Sequence, residues 1–166
     1  MQDNVHDFGS DRVGKKLLFP IETCILFDKR AENWIAPLAV DAAYLHARIF
    51  TSLSYFDTIL PKKHPSRASA LALHHGHQAV ALLRERISSE PVTTKLSDNT
   101  ILVALSLAGN AFWTGDAASA VSQIRGIHEM VNLRGGLHTF EANKKLPMEI
   151  LRSVVASFYC YFSLRS

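Results

Sequence analysis

Three histidines stand within four positions of one another, at His74, His75 and His77, and form the only cluster of possible metal ligands in this 166-residue sequence. On a helix, His74 and His77 would share one face at an i, i+3 spacing, and Gln78 would join His74 at i+4. A zinc site needs three or four ligands, and the sequence has no HExxH pattern. We therefore predict that these histidines form a polar helix face. The alternative hypothesis is a metal-binding protein or small enzyme that uses His74 and His77.

Motifs for other chemistry are missing from the sequence. No serine stands in a GxSxG elbow, and Gly135-Gly136 belongs to neither a GxxxxGK[ST] nor a GxGxxG phosphate loop. Cys24 and Cys160 form no CxxC pair and have the character of buried apolar residues. We predict no catalytic residue, no cofactor and no bound metal, so that the protein is not an enzyme.

The composition is that of a soluble globular domain. Hydrophobic residues make up 48% of the chain and charged residues 20%, which suits a sizeable core and is too apolar for a disordered chain. The net charge of +3 is spread over scattered lysine pairs, so we expect no direct binding of nucleic acid. The N-terminus lacks the apolar core of a signal peptide, and no apolar run reaches the roughly 20 residues that span a bilayer. We expect a soluble intracellular protein with no membrane segment.

Helical periodicity runs through most of the chain, and alternating strand patterns are lacking. The pattern predicts an all-α fold, an irregular array of antiparallel helix pairs with about five helices. Residues 1–30 are predicted as an irregular N-terminal arm and residues 31–166 as the helical domain. The predicted helices cover residues 37–60, 67–87, 99–113, 117–134 and a stretch that begins at Pro147.

The same periodicity predicts which side chains face the core. In the first helix these are Leu38, Ala42, Leu45, Ile49, Leu53 and Phe56. In the second they are Leu71, Val80, Leu83 and Ile87. The third helix is apolar around nearly its whole circumference, which indicates a central position. Trp34 and Trp113 are predicted to be core anchors.

The fourth helix carries the most specific local predictions. It follows the Thr114-Gly115 turn, with Asp116 as its cap. His128 lies on its predicted apolar face, which favours a buried, neutral histidine over a catalytic one. Gly135-Gly136 predicts a helix stop in which one glycine takes the left-handed conformation. Arg134 stands where its side chain could bond the last carbonyls of the helix.

The segment GDAASAVSQIRGIHEMVNLRGGL, residues 115–137, resembles the fungal-specific transcription factor domain, the middle regulatory region found C-terminal to a zinc binuclear cluster. The residues that carry the resemblance are His128, Met130, Val131, Arg134, Gly135, Gly136 and Leu137. The upstream segments HHGHQAVALLRERI and LSDNTILVALSLA follow in the family's order, so the resemblance covers residues 17–152. It implies a nuclear, non-catalytic regulator of transcription that acts through protein partners or self-association, with an effector that the sequence does not identify.

Two departures from that family shape the expectation. The zinc binuclear cluster needs six closely spaced cysteines, and this sequence has two distant ones, so we expect no DNA-binding module of its own. The family's helical region also continues far beyond the double glycine, whereas this sequence ends about 30 residues later. A truncated or mis-spliced product without independent function is therefore a further hypothesis. A shortened array is expected to expose an apolar face and to self-associate.

Overall fold

The computed structural model of the protein describes residues 32–59, 70–140 and 145–163, and these residues contain helices and no strand. The helices are α1 (Glu32–Val40), α2 (Ala42–Ile59), α3 (Ala70–Ser88), α4 (Val92–Lys95), α5 (Asp98–Trp113), α6 (Ala117–Arg134), a 3-10 turn (Leu137–Phe140) and α7 (Lys145–Ser163). The predicted all-α class is confirmed. The predicted arm over residues 1–30, and the side chains of Trp34 and Cys160, lie outside the described part.

The predicted first helix is in fact two helices, and the described residues hold six longer helices, which agrees with the predicted number of about five. The break lies at Asp41, whose carboxylate accepts a hydrogen bond from the backbone N–H of Tyr44 at 2.9 Å. This bond satisfies one of the free donors at the start of α2, as a capping residue does. Pro37 lies inside α1 and does not open the helix as predicted. At the other end of the chain, Pro147 is the third residue of α7, which begins at Lys145.

Helix α5 is the centre of the domain, as its all-round apolar sequence predicts. Every residue from Ile101 to Ala108 is buried. The helix contacts α2, α3, α6 and α7. Its first turn is capped by Ser97, whose hydroxyl accepts from the backbone N–H of Thr100 at 3.3 Å. The one-turn helix α4 precedes this cap and lies between two of the predicted helices.

Helices α2 and α3 pack as an antiparallel pair through small residues. Ala43, Ala47, Ala72 and Ala79 are fully buried, and Gly76 of α3 lies against the ring of Phe50. The predicted core faces of these two helices are therefore partly wrong. Val80 and Leu83 do pack against the core. The predicted core residues that the structure exposes are Ala42, Leu45, Phe56, Leu71 and Ile87.

Helix α6 runs back along α5 and buries Ala120, Ile127 and Val131. The turn between the two helices places Gly115 at a φ of 80°. Phe140 of the 3-10 turn and Leu146 of α7 then close this side of the core. Within the described ranges, none of the helices combines the length and the apolar character needed to cross a membrane.

Candidate functional site

Arg134 joins the C-terminal end of α6 to the N-terminal end of α5. Its Nη1 donates to the carbonyl oxygen of Leu96 at 3.0 Å and also to the carboxylate of Asp98. The guanidinium carbon lies 4.2 Å from the centre of the Phe140 ring, a cation–π arrangement. The prediction that Arg134 bonds the last carbonyls of its own helix is wrong, because the carbonyl it reaches is the one that ends α4.

The two glycines after Arg134 turn the chain sharply away from α6. Gly135 has a φ of 111° and Gly136 a φ of 100°, both in the region that glycine occupies without strain. The N–H of Gly136 donates to the carbonyl of Val131 at 2.8 Å, and the N–H of Gly135 donates to that of Asn132 at 3.0 Å. These bonds satisfy carbonyls at the end of the helix, which is the role of a helix stop.

His128 and Trp113 are both exposed, so their predicted burial is wrong. The buried face of α6 is centred on Ile127 and Val131, and His128 lies about 100° around the helix from Ile127. Its ring nitrogens lie 3.3 Å from the side-chain amide of Asn132. Trp113 is the last residue of α5 and is 61% exposed.

The packing of α2 on α3 pairs His75 of the predicted cluster with a histidine outside that cluster. His74 and His77 are exposed, whereas His75 pairs with His46 of α2, with 2.7 Å between the two Nδ1 atoms. Partial burial lowers the pKa of His46, and the nearby His75 and His74 lower it further. Among the residues described, no group of three or more His, Cys, Asp or Glu side chains is placed to hold a metal ion. Sequence reasoning missed His46 because it stands 29 positions from its partner.

A second polar contact joins the start of α2 to α3. Arg86 donates from Nη2 to the carboxylate of Asp41 at 2.7 Å. Burial alone would raise the pKa of Asp41, but hydrogen bonds from Arg86 and the Tyr44 amide outweigh it and lower the pKa. Asp41 and Arg86 line a polar groove that also includes Thr94, Ser97 and Asp98. This groove therefore lies beside the carboxylate that Arg134 binds.

The described part also contains a cavity of about 380 Å³ between α2, α5 and α7. Its aromatic lining consists of Tyr44, Tyr55, Phe112 and Trp113, and its charged lining of Arg48, Glu149 and Arg152. This cavity could not be predicted from the sequence, because its walls come from helices that are far apart along the chain. It is the concave, mostly apolar kind of surface that binds small molecules.

No family model, curated protein or solved structure matches this chain. The fold itself defines the class of the protein, which is an all-α helical domain. A closer assignment depends on the residues of the α5–α6 pair and on the surfaces described above.

Proposed function

We propose that this protein is a non-catalytic helical regulatory domain that takes part in the control of transcription through protein association. The observation that carries the proposal is the coincidence of two properties at Arg134, Gly135 and Gly136. These residues contribute most to the resemblance to the fungal-specific transcription factor domain, and they also close the α5–α6 pair. The motif would then mark a scaffold that presents surfaces to partners.

Exposed apolar side chains support association with another protein. Leu133 of α6 is 76% exposed and Trp113 of α5 is 61% exposed. Phe56 of α2 and Leu71 of α3 are each more than half exposed. Large apolar and aromatic groups on a surface are typical of protein interfaces, where covering them removes apolar area from water. The partner can be a different protein or a second copy of this chain.

The proposal assigns no direct DNA binding to the 166 residues of this chain. The sequence has a net charge of +3 without a concentrated basic run, and its two cysteines are too few for a zinc binuclear cluster. Sequence-specific binding by the purified chain, weakening steeply as salt is raised, would contradict the proposal. An electrophoretic mobility shift with pooled random duplexes tests this point directly.

The decisive experiment tethers the full chain to an unrelated DNA-binding domain beside a reporter gene in fungal cells. We expect reporter expression to change relative to the DNA-binding domain alone. Leu133→Glu should abolish the change while the purified variant keeps its melting temperature, because the side chain is exposed. Arg125→Glu, at an exposed position on the same helix, is the matched control and should leave the effect intact.

Three outcomes of that experiment count against the proposal. One is an unchanged reporter level with the fusion present in the nucleus. Another is an equal loss of the effect in Leu133→Glu and Arg125→Glu. The third is a fluorescent fusion of the full chain that stays outside the nucleus.

A further inference from the structure

We infer that the cavity between α2, α5 and α7 is a binding site for an organic anion with a flat, apolar body, such as an aryl carboxylate. The inference stands on the residues that line the cavity and does not depend on the proposed role in transcription. Its volume of about 380 Å³ lies within the range of small-molecule pockets, roughly 300–1,000 Å³.

The aromatic wall determines the shape of the ligand body. Tyr55 meets Trp113 edge to face, with 6.5 Å between ring centres, and Phe112 meets Trp113 in the same manner at 5.5 Å. Leu102, Leu105 and other apolar residues of α5 also line the cavity. Such surfaces bind flat, apolar groups by stacking and by removing apolar area from water.

Among the aromatic residues of the lining, Trp113 gives the strongest indication that a ligand binds there. It is 61% exposed beside the cavity, although the central helix to which it belongs is buried over most of its length. Its ring contacts those of Tyr55 and Phe112. A ligand in the cavity would cover part of this exposed indole and so remove apolar area from water.

The charged residues of the lining determine which sign of charge the ligand should carry. Arg48 and Arg152 line the cavity together with a single carboxylate, Glu149. Arg152 forms an ion pair with Glu149, in which its Nη1 lies 3.7 Å from the carboxylate oxygen Oε1. Arg48 is exposed, and its guanidinium makes no hydrogen bond or ion pair with any described residue. The positive charge of Arg48 is therefore left without a described partner at the cavity, which favours an anionic ligand.

Tyr44 supplies a neutral donor on the same lining. Its side chain is 4% exposed, and its hydroxyl hydrogen bonds to no described residue. Burial raises the pKa of the phenol, and this effect exceeds the opposite influence of Arg48. The hydroxyl therefore keeps its proton at neutral pH and can donate to a carboxylate.

The test uses the full chain with Trp34→Phe, which leaves Trp113 as the single tryptophan. Naphthalene-2-carboxylate, naphthalene-2-carboxamide and 2-naphthylmethylamine present one body with a negative, neutral or positive group. We expect the carboxylate to shift the indole N–H resonance of Trp113 saturably and to bind roughly tenfold more tightly than the amide, because charge-assisted bonds are the stronger ones. The amine should bind most weakly.

Two further variants connect the signal to the cavity. Arg48→Gln should reduce the affinity for the carboxylate to that for the amide, whereas Arg84→Gln, at an exposed position of α3 outside the cavity, should change neither affinity. Gly109→Leu places a side chain in the cavity, since a Cβ at Gly109 meets no atom within 4 Å, and should abolish binding without unfolding the chain. The inference is overturned by an absent or non-saturable shift, by equal affinity for carboxylate and amide, or by unchanged binding in folded Gly109→Leu.

Discussion

Arg134 and Asp98 form an ion pair across 36 positions of sequence, and it closes the α5–α6 pair at the end opposite the Thr114-Gly115 turn. The same guanidinium bonds the carbonyl of Leu96 and covers the buried ring of Phe140. One side chain therefore connects the start of α5, the end of α4 and the 3-10 turn. The helix pair is held together at both ends. The Thr114-Gly115 turn connects the two helices at one end, and the contacts of Arg134 connect them at the other.

Arg134→Ala is expected to lower the free energy of unfolding by about 1–2 kcal/mol. A hydrogen bond to a charged group contributes more than a neutral one, but both partners are about one-quarter to one-third exposed, which weakens the ion pair. Urea denaturation followed by circular dichroism measures the change. Arg125→Ala removes an exposed arginine from the same helix and should cost much less.

A double-mutant cycle with Asp98→Asn and Arg134→Ala separates the pair from other effects of each substitution. We expect the double variant to be more stable than the sum of the single losses predicts. Strict additivity would mean that Arg134 acts through Leu96 and Phe140 alone.

Gly135→Ala is expected to destabilise the protein by about 1–2 kcal/mol through backbone strain. The φ of 111° disfavours any L side chain, and a Cβ at this position would lie 3.2 Å from the Cγ2 of Thr139. Gly135→Asn should cost less, since asparagine tolerates positive φ better than alanine. Thermal melts of the two variants give the comparison, and an alanine variant as stable as the original chain would show that the helix stop tolerates a side chain.

The sequence was sufficient to predict the class of fold and the position of α5. From Ile101 to Ala108 every residue except Ser106 is apolar, so that no choice of face could leave the helix at the surface. The end of α6 was also predictable, because a double glycine provides conformations that few other residues reach. These features are local, and neighbours on the chain determine them.

The orientation of α2 and α3 could not be predicted in the same manner. Each helix carries two apolar faces, one with large residues such as Leu45 and Leu71, the other with small ones such as Ala47 and Ala72. Hydrophobicity favours the first face, whereas close approach of the two helices requires the second. Which face is buried therefore depends on the partner helix. The pairing of His46 with His75 also depends on it, and no local sequence pattern predicts that pairing.

The His46–His75 pair should make stability depend on pH below neutrality. The pKa of His46 is lowered from its ordinary value of 6.5, so the unfolded chain takes up the proton first as pH falls. The stabilising contribution is fully present above about pH 6.5 and is lost as the pH falls from there through the lower folded-state pKa.

Melting temperatures measured from about pH 8 to about pH 5 cover this transition. His46→Gln should flatten the profile, because glutamine does not titrate. His128→Gln replaces an exposed histidine on α6 and should leave the slope unchanged. A profile with the same slope in His46→Gln would show that other groups cause the dependence.

Gly76→Ala and Gly126→Ala should change stability in opposite directions, although both replace a glycine inside a helix. A Cβ at Gly126 meets no atom within 4 Å, so alanine should stabilise α6 by about 0.5–1 kcal/mol through helix propensity. A Cβ at Gly76 would lie 3.1 Å from the ring of Phe50, which packs against the core, so overpacking should cost about 1 kcal/mol or more. Adding Phe50→Leu to Gly76→Ala should recover part of the loss, because the shorter side chain leaves room. Equal stabilisation by the two alanines in urea denaturation would mean that α2 and α3 are not held together through Gly76.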